Sequence, residues 1–423
     1  MDATLLNEAA IRLRDSCLAD PSNPDLDCLR RILEAARAED RALAVAAARS
    51  LIRTVVEELS DRFNPDLSAC YVEIFSRVIA SVIPAFSDRF LRERYADLCA
   101  APARPLAGDA PESVIVLSRI TLGADIAITS VFLRALRLRF PKTTLWFAGS
   151  AKNFELFAGM PGVRHWPVSY PRAGTLAERF AVVRDLDGAL GHEENWLMDP
   201  DSRITQLGLL PAAPLRATLF FESRSAAPES NKSLSALASG WCAEYLDVPD
   251  ARPEIALSPE KGRGTDANAG RGGICVSLGV GNNDTKRLSA SFEVQLLRIL
   301  AATGRRIWID SGAGEEEAEA VRAAVAASGT AAGRIEVLRG SFVDFCRVIR
   351  RASLYVGYDS AGQHAAAAMG VPAITLFKGY PNERMFCRWQ PRGFARSKVI
   401  RVSPGTAEGQ VLEDLRSAVH EVL

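Results

Sequence analysis

Hydrophobic positions in the first hundred residues recur every three or four places along the chain. Leu29, Ile32 and Leu33 are one example, and this spacing is typical of helices that bury one face. That helix is expected to begin at the sequence SNP, with Pro24 in its first turn and one of the two preceding residues as its cap. Residues 1–104 are therefore predicted to form an all-helical region.

After a segment rich in proline, alanine and glycine at 101–112, short β-branched runs alternate with helical patterns. The first unit is the run SVIVLSRI at 113–120, an amphipathic helix at 126–140 and the run TTLWFAGS at 143–150. An order of strand, helix and strand predicts a parallel sheet covered by helices. Residues 105–258 are predicted to form this first Rossmann-like domain.

The alternation weakens between residues 225 and 272 and then resumes. We expect a polar, glycine-rich linker at 259–271, a second Rossmann-like domain at 272–405 and a last helix at 406–423. Two such domains leave a cleft between the carboxyl ends of their sheets, where ligands of open α/β sheets bind. The predicted fold class is α/β, with two βα domains that face a cleft and follow a helical region.

Composition narrows the classes of function. Lys plus Arg and Asp plus Glu each total 51, so the net charge is zero and nucleic acid is not expected as a partner. Eight cysteines form no CxxC pair and there are only four histidines, which argues against a zinc site, a disulfide framework or a histidine-rich metal centre. The N-terminus lacks an apolar signal region, and no apolar run approaches the ~18 residues of a membrane span, which predicts a cytoplasmic protein.

The stretch YVGYDSAGQHAAAAMG, beginning at Tyr355, carries the most chemistry. An apolar strand ends at Asp359, and an alanine-rich helix begins just beyond a short polar turn, so the first amides of that helix form an anion site. The small residues Ala361 and Gly362 would let a phosphate approach the backbone. Asp359 suits sugar hydroxyls, and His364 could donate to the same diphosphate. The alternative is a helix cap followed by a packed histidine.

VGYDSAGQHAAAAMGVPAITLFKG resembles a segment of the ADP-heptose:lipopolysaccharide heptosyltransferase-like family, glycosyltransferase family 9. That segment reads approximately D-S/T-G-x-x-H, followed by a small-residue helix and a G-V-P strand. The likeness extends from about residue 113 to 400. It implies a GT-B fold, inversion of the anomeric centre, and a nucleotide-diphosphate sugar, ADP-linked in that family, as donor without a metal or other cofactor. By position it also implies six donor-binding residues, namely Asp359, Ser360, Ala361, Gly362, Gln363 and His364.

The sequence SRITLGADIAITSVFLRAL is similar to the first βα turn of that family, with Ala124 inserted between Gly123 and Asp125. The resemblance places Asp125 at a helix start opposite the donor, where an inverting transferase needs a general base for the acceptor hydroxyl. A simple N-cap is the alternative. Arg119, in the same turn, is predicted to bind the acceptor.

GVGNNDTKRLSASF, beginning at Gly279, resembles the glycine-rich turn and Lys-Arg pair of the family. The resemblance implies that Lys286 neutralises charge on the leaving diphosphate, which a cation can do where no metal is bound. Gly279 and Arg287 are predicted to help bind the donor. The alternative for Lys286 and Arg287 is that they are solvated loop cations. Glu316, after the next strand, is predicted to contact the ribose, but three consecutive glutamates also suit a helix start without a ligand.

Two further segments carry candidate contacts. In WLMDPDSRITQLGLLP, Arg203 follows a strand on the cleft side and is predicted to hold a phosphate or carboxylate of the acceptor. An internally bonded Asp-Pro turn is the alternative. FKGYPNERMFCRWQPRG resembles the loop that closes over the donor in the family, which makes Arg384 and Arg388 weaker candidates.

The predicted function is an inverting, metal-independent glycosyltransferase. It would move a sugar, a heptose by resemblance, from a nucleotide diphosphate to a hydroxyl of a bacterial surface glycan, a lipid-linked acceptor or a protein. Two alternatives stay open: a non-catalytic nucleotide-sugar-binding or scaffold protein, and a GT-B nucleotide-sugar epimerase. The N-terminal helices are candidates for homo-oligomer contacts or for peripheral contact with the inner membrane, while a solvated helix face also explains their charges.

Overall fold

The computed structural model describes residues 3–107, 110–190, 195–259, 272–281, 283–331, 333–393 and 396–423. The predicted linker at 259–271 therefore lies outside the described residues, apart from residue 259.

The first hundred residues form helices, as predicted. They are α1 (Ala3–Ala19), α2 (Leu26–Ala36), α3 (Arg41–Ser50), a π-helical segment (Leu51–Val56), α4 (Glu57–Asp61), α5 (Pro65–Val82) and α6 (Asp88–Ala100). The expected start of α2 in the SNP sequence is wrong by two residues, because Asp25 is the cap and accepts a hydrogen bond from the Cys28 amide at 3.0 Å. None of the described helices has both the length and the apolar character needed to cross a membrane.

The next part of the chain forms a parallel five-stranded sheet in the order β3-β2-β1-β4-β5. Its strands are β1 (Ser113–Leu117), β2 (Thr144–Gly149), β3 (Val163–Pro167), β4 (Asn195–Asp199) and β5 (Thr218–Phe220). Its helices are α7 (Leu122–Ala124), which continues through a π-helical segment (Asp125–Thr129) into α8 (Ser130–Arg139), then α9 (Ala151–Phe154), α10 (Leu176–Ala181), α11 (Asp187–Leu190) and α12 (Leu234–Leu246).

A second, six-stranded parallel sheet follows in the order β11-β10-β9-β6-β7-β8. Its strands are β6 (Ile274–Ser277), β7 (Ile307–Asp310), β8 (Ile335–Leu338), β9 (Leu354–Tyr358), β10 (Ala373–Phe377) and β11 (Ser397–Arg401). Its helices are α13 (Ala290–Ala302), α14 (Glu315–Ala327), α15 (Phe342–Arg351), α16 (Ala361–Ala368), α17 (Glu383–Arg388) and α18 (Glu408–Val422). The predicted α/β fold with two βα domains is confirmed.

Both sheets reverse their winding direction at one point, between β1 and β4 in the first and between β6 and β9 in the second. Residues that follow these four strands therefore share the crevices where ligands of such sheets bind. The two crevices face each other. A Cβ atom built on Gly123, which follows β1, would lie 3.5 Å from both Ala361 Cα and His364 Cδ2 at the start of α16.

The helical region is docked on the carboxyl edge of the first sheet. Leu207, Leu209 and Leu210, in the segment after β4, belong to the apolar core of the helices and are at most 2% exposed. The Tyr71 hydroxyl of α5 also donates to the Gln206 carbonyl at 2.8 Å. Since burial of one large apolar side chain contributes about 1.5–3 kcal/mol, these contacts hold the helical region firmly against the first domain.

Candidate active site

Lys286 and Asp359 form an ion pair at the switch point of the second sheet. Lys286 Nζ lies 2.5 Å from Asp359 Oδ2 and 3.3 Å from the Asp359 carbonyl oxygen. Asp359 directly follows β9, and Lys286 ends a 3-10 turn (Asp284–Lys286) beyond the neighbouring strand β6. The structure thus brings together two of the charged residues that the sequence predicted for the donor side. The lysine side chain is 19% exposed and the aspartate 7%, so the pair borders solvent.

Lys378, which sequence reasoning missed, fixes the turn that carries Lys286. Its Nζ atom donates to the carbonyl oxygens of Thr285 at 2.8 Å and of Arg287 at 2.9 Å. Lys378 directly follows β10 in the sequence FKG. Its place after a core strand was a usable signal, because that strand ends at the same edge of the sheet.

Gln363 and His364 lie beneath the ion pair. Gln363 Nε2 donates to Asp359 Oδ1 and contacts the Trp389 carbonyl oxygen at 3.4 Å. The two carboxylate oxygens of Asp359 are therefore held by different groups. Burial lowers the pKa of His364 to about 4, against the attraction of Asp359 and with the help of the Lys286 charge. At neutral pH this imidazole is uncharged.

The N-terminus of α16 presents its first backbone amides at Ser360 and Ala361. Both residues are partly exposed. The Ser360 side chain makes no capping hydrogen bond to this helix. Gly362 faces the interior, since a Cβ atom there would lie 2.2 Å from the Tyr355 hydroxyl oxygen. The position of the Tyr355 hydroxyl beneath the helix explains why residue 362 is a glycine. The predicted approach of a phosphate to this residue stays a prediction.

Arg287 and Glu316 occupy different surroundings from the Lys286 pair. Arg287 makes a bidentate ion pair with Glu293 on α13, at 2.7 and 2.8 Å. Glu316 is exposed. Its neighbour Glu317, and not Glu316, lies beside the chain segments that follow β6 and β7.

Glu317 organises the glycine-rich turn after β6. It accepts hydrogen bonds from the amides of Val280 and Gly281 at 3.2 Å and from the amide of Ala313 at 2.7 Å. A Cβ atom on Gly279 would lie 3.2 Å from the Glu317 carboxylate. Three consecutive glutamates at a helix start give no sequence signal that separates Glu317 from Glu316.

Asp125 is fully buried and follows α7 in the first domain. Its carboxylate accepts hydrogen bonds from four groups, namely Ser118 Oγ at 2.6 Å, the Arg119 amide at 2.6 Å, Thr129 Oγ1 at 2.7 Å and Asn153 Nδ2 at 2.5 Å. Burial raises its pKa, and these hydrogen bonds oppose that shift. In this conformation the carboxylate orders the first βα turn and is shielded from solvent, while its predicted role as general base stays a prediction.

Arg119 belongs to a buried charge network between β1, β4 and the helical region. Its Nη1 atom donates to the Pro200 carbonyl at 2.6 Å and lies 3.4 Å from Asp201. Asp201 also pairs with Arg224 at 2.9 Å, and Arg224 pairs in turn with Asp61 of α4 at 2.5 Å. Burial lowers the pKa of Arg119 to about 10, so the guanidinium remains charged. This network joins the predicted acceptor side to the helical region.

Arg384 and Arg388 stabilise neighbouring chain segments. Arg384 donates to the Phe63 carbonyl at 2.7 Å, which links α17 to the helical region. Arg388 donates to four carbonyl oxygens of the segment that precedes α12, namely those of Ala226, Ala227, Ser230 and Lys232. Within the described part of the chain, no three His, Cys, Asp or Glu side chains are grouped as ligands of a metal ion.

Solved structures with the same architecture support the fold. The Escherichia coli heptosyltransferase WaaC with ADP superimposes with a TM-score of 0.51 and 20% identity, over 74% of this chain and all of that chain. A family 9 glycosyl transferase from Veillonella parvula gives 0.54 and 14%, over 74% and 98%. The E. coli ADP-heptose LPS heptosyltransferase II gives 0.50 and 18%, over 73% and 99%. The fold is GT-B, as predicted.

The enzyme class follows from the family comparison. Residues 219–399 match the family model described as glycosyltransferase family 9 (heptosyltransferase). The protein is a glycosyltransferase. The match covers most of the second βα domain, from before β6 to within β11, and confirms the resemblance read from the sequence. A comparison with curated protein sequences gave no significant match.

Proposed function

We propose that the protein is an inverting, metal-independent transferase that moves a heptose from an ADP-linked donor to a hydroxyl of a bacterial surface glycan. The observation that carries this proposal is the Lys286–Asp359 ion pair beside the amides that begin α16. A cation and a helix N-terminus at one crevice together suit a diphosphate. WaaC was solved with ADP, which supports an adenine nucleotide.

In the proposed donor complex, Lys286 exchanges the Asp359 carboxylate for diphosphate oxygens. The ammonium group then neutralises the charge that develops on the leaving nucleotide diphosphate, the usual means of electrostatic catalysis in phosphate-leaving reactions. Asp359 keeps its hydrogen bond from Gln363 and gains a free oxygen for sugar hydroxyls. Neutral His364 donates or accepts one hydrogen bond without adding charge.

Direct displacement at the anomeric carbon also needs a base for the acceptor hydroxyl. Asp125 keeps this role in the proposal, with one structural requirement. The turn Arg119–Ala124 has to open, so that the carboxylate exchanges one of its buried hydrogen bonds for the acceptor hydroxyl. The contact of Gly123 with α16 links this opening to the separation of the two domains.

Calorimetric titration with ADP, GDP and UDP in the presence of a chelator tests the donor assignment. We expect ADP to bind most tightly and Lys286→Ala to weaken it by about tenfold or more, as loss of a charge-assisted contact does. Asp359→Ala should not weaken ADP binding, because its carboxylate competes with the diphosphate for Lys286. Arg350→Gln, at an exposed position on α15, is a matched control that should bind like the wild type. Equal affinity in all four proteins, or no binding of any nucleotide, would contradict the proposal.

A further inference from the structure

Phe63 lies in the short connection between α4 and α5, in a backbone conformation that aromatic residues rarely adopt. Its φ is 53°, in the left-handed region that glycine favours. Its side chain is buried in the core of the two βα domains and not in the core of the surrounding helices. Strained residues of this kind persist where their surroundings hold them, and they collect at functional sites. The surroundings that hold Phe63 therefore belong to the βα domains.

Three contacts from two domains fix the loop that carries Phe63. Arg384 Nη1 donates to the Phe63 carbonyl at 2.7 Å, and Asn382 Nδ2 donates to the preceding carbonyl, that of Arg62, at 3.1 Å. Both donors belong to the start of α17 in the second domain. The guanidinium carbon of Arg224, which follows β5 in the first domain, lies 5.4 Å from the centre of the Phe63 ring. This loop therefore joins the helical region to both βα domains.

The Phe63 ring packs against Trp389, which directly follows α17. The ring centroids are 6.5 Å apart and the ring planes cross at 69°, the edge-to-face arrangement that aromatic pairs prefer. The preceding residue, Arg388, is buried and donates to four carbonyl oxygens of the segment before α12. The position of Trp389 therefore depends on the Phe63 ring and on the anchored end of α17.

Trp389 contacts two buried residues of the candidate donor site. Its ring centroid lies 6.1 Å from that of His364. Its carbonyl oxygen lies 3.4 Å from Gln363 Nε2, which also donates to Asp359 Oδ1. Gln363 Oε1 is buried and has no hydrogen-bond partner among the described residues. The orientation of the Gln363 amide therefore depends on the contacts of its nitrogen.

A series of contacts thus leads from Phe63 through Trp389 and Gln363 to Asp359. If Trp389 moved, the Gln363 nitrogen would lose one of its contacts. Rotation of that amide would then turn its oxygen toward the Asp359 carboxylate, and two acceptors repel each other. Asp359 would lose the hydrogen bond that orients its carboxylate. Phe63 would therefore affect the donor site indirectly, through Trp389.

We propose that Phe63 is a positioning residue of the donor site, which through Trp389 and Gln363 keeps the Asp359 carboxylate oriented toward the sugar of the donor. The inference rests on the proposed function, which assigns the sugar hydroxyls to Asp359. It gives the helical region a part in donor recognition, although most of that region packs on the first domain. The expected signature is weaker binding of the complete nucleotide sugar with little change in ADP affinity, because Lys286 and the first amides of α16 remain in place.

Calorimetric titration of the full-length protein with ADP and with ADP-heptose tests this inference. Phe63→Leu removes the aromatic ring and keeps an apolar side chain. We expect it to weaken ADP-heptose binding by about tenfold, as loss of one charge-assisted hydrogen bond does, and to change ADP binding by less than about twofold. Phe63→Met, whose flexible side chain fills irregular space, takes its place if Phe63→Leu does not fold.

Phe75→Leu is the matched control for loss of a buried aromatic ring. Phe75 is fully buried on α5, and its ring lies edge-to-face at 5.9 Å from that of Phe180 in the core of the helices. Phe75→Leu should lower thermal stability and leave both affinities unchanged.

A second substitution shows whether the effect passes through Trp389. Trp389→Leu should weaken ADP-heptose binding as Phe63→Leu does. The double variant of Phe63→Leu and Trp389→Leu should lose no more affinity than Trp389→Leu alone, because residues that act through one contact are not additive.

The imidazole NMR signals of His364 provide a readout that needs no ligand. The protein has four histidines, and His364→Gln identifies the signals of His364 by their loss. Phe63→Leu should shift these signals, because the neighbouring Trp389 ring moves relative to His364. Phe75→Leu should leave them in place.

Three results would each overturn the inference: wild-type affinity of Phe63→Leu for ADP-heptose, equal losses of both affinities in Phe63→Leu and Phe75→Leu, or additive losses in the double variant. Unshifted His364 signals in Phe63→Leu would overturn it as well. With normal ADP binding by the wild type, these results remove only the role of Phe63. Failure of the wild type to bind ADP would instead remove the proposed function, and this inference with it.

Discussion

The ammonium nitrogen of Lys286 lies 2.5 Å from Asp359 Oδ2, a contact between residues that are 73 positions apart in the chain. The pair holds a cation at the mouth of the cleft before any donor arrives. Lys286→Met should lower kcat by about 10²–10³-fold, the usual loss when one electrostatic group of a transition state is removed. Steady-state kinetics with an ADP-linked donor checks this.

Lys152→Met, at an exposed lysine on α9, is the control and should leave kcat unchanged. Retention of wild-type kcat by Lys286→Met would show that the ion pair only stabilises the fold.

Lys378 is expected to act through the Lys286 turn. Lys378→Met removes both carbonyl contacts, at 2.8 and 2.9 Å, while Lys286 keeps its charge. We expect kcat to fall by about tenfold with a smaller change in KM, since misplacement of a catalytic group by a fraction of an ångström affects the transition state most. Lys378→Arg should restore part of the activity because a guanidinium can also donate to both carbonyls. A lower thermal stability with unchanged kcat would contradict this role.

The strand order explains why the donor side could be predicted from the sequence. Asp359 and Lys286 both follow apolar runs, and parallel strands bring their carboxyl ends to one edge. The distinction between Glu316 and Glu317 could not be made, because it depends on where the amides after β6 point.

The acceptor side was less predictable, because its shape depends on contacts between distant segments. Helical periodicity identified the first hundred residues as helices but could not show that Leu207 and Leu210 complete their core. Nor does any sequence signal mark the left-handed backbone of Ile120 or Gln206, since neither residue type favours it. The buried ion-pair network of Arg119 and Asp201 likewise depends on the docking of the helical region against the first domain.

Asp125 is expected to be important for stability as well as for activity. All four of its hydrogen-bond partners are donors, so the amide of Asp125→Asn would place an NH₂ group against at least one of them. A buried donor without an acceptor should lower the free energy of unfolding by about 1–3 kcal/mol. Urea denaturation measures this loss. Unchanged stability combined with loss of turnover would show that Asp125 acts only in the chemistry.

His364 should make the protein less stable as the pH falls below neutrality. Burial lowers its pKa from 6.5 to about 4 in the folded protein, so the unfolded chain binds a proton at a higher pH than the native chain does. The free energy of unfolding should therefore decrease as the pH falls from about 6.5 to about 4, by about 3 kcal/mol in total from this residue, and level off below.

Because other groups titrate in the same range, the wild type has to be compared with His364→Gln across that range by urea denaturation. The difference between the two proteins isolates the histidine. His420→Gln, at an exposed position on α18, is the matched control and should follow the wild type. Parallel curves for wild type and His364→Gln would mean that His364 is as easily protonated in the native state as in the unfolded chain, and that it can approach the diphosphate as a cation.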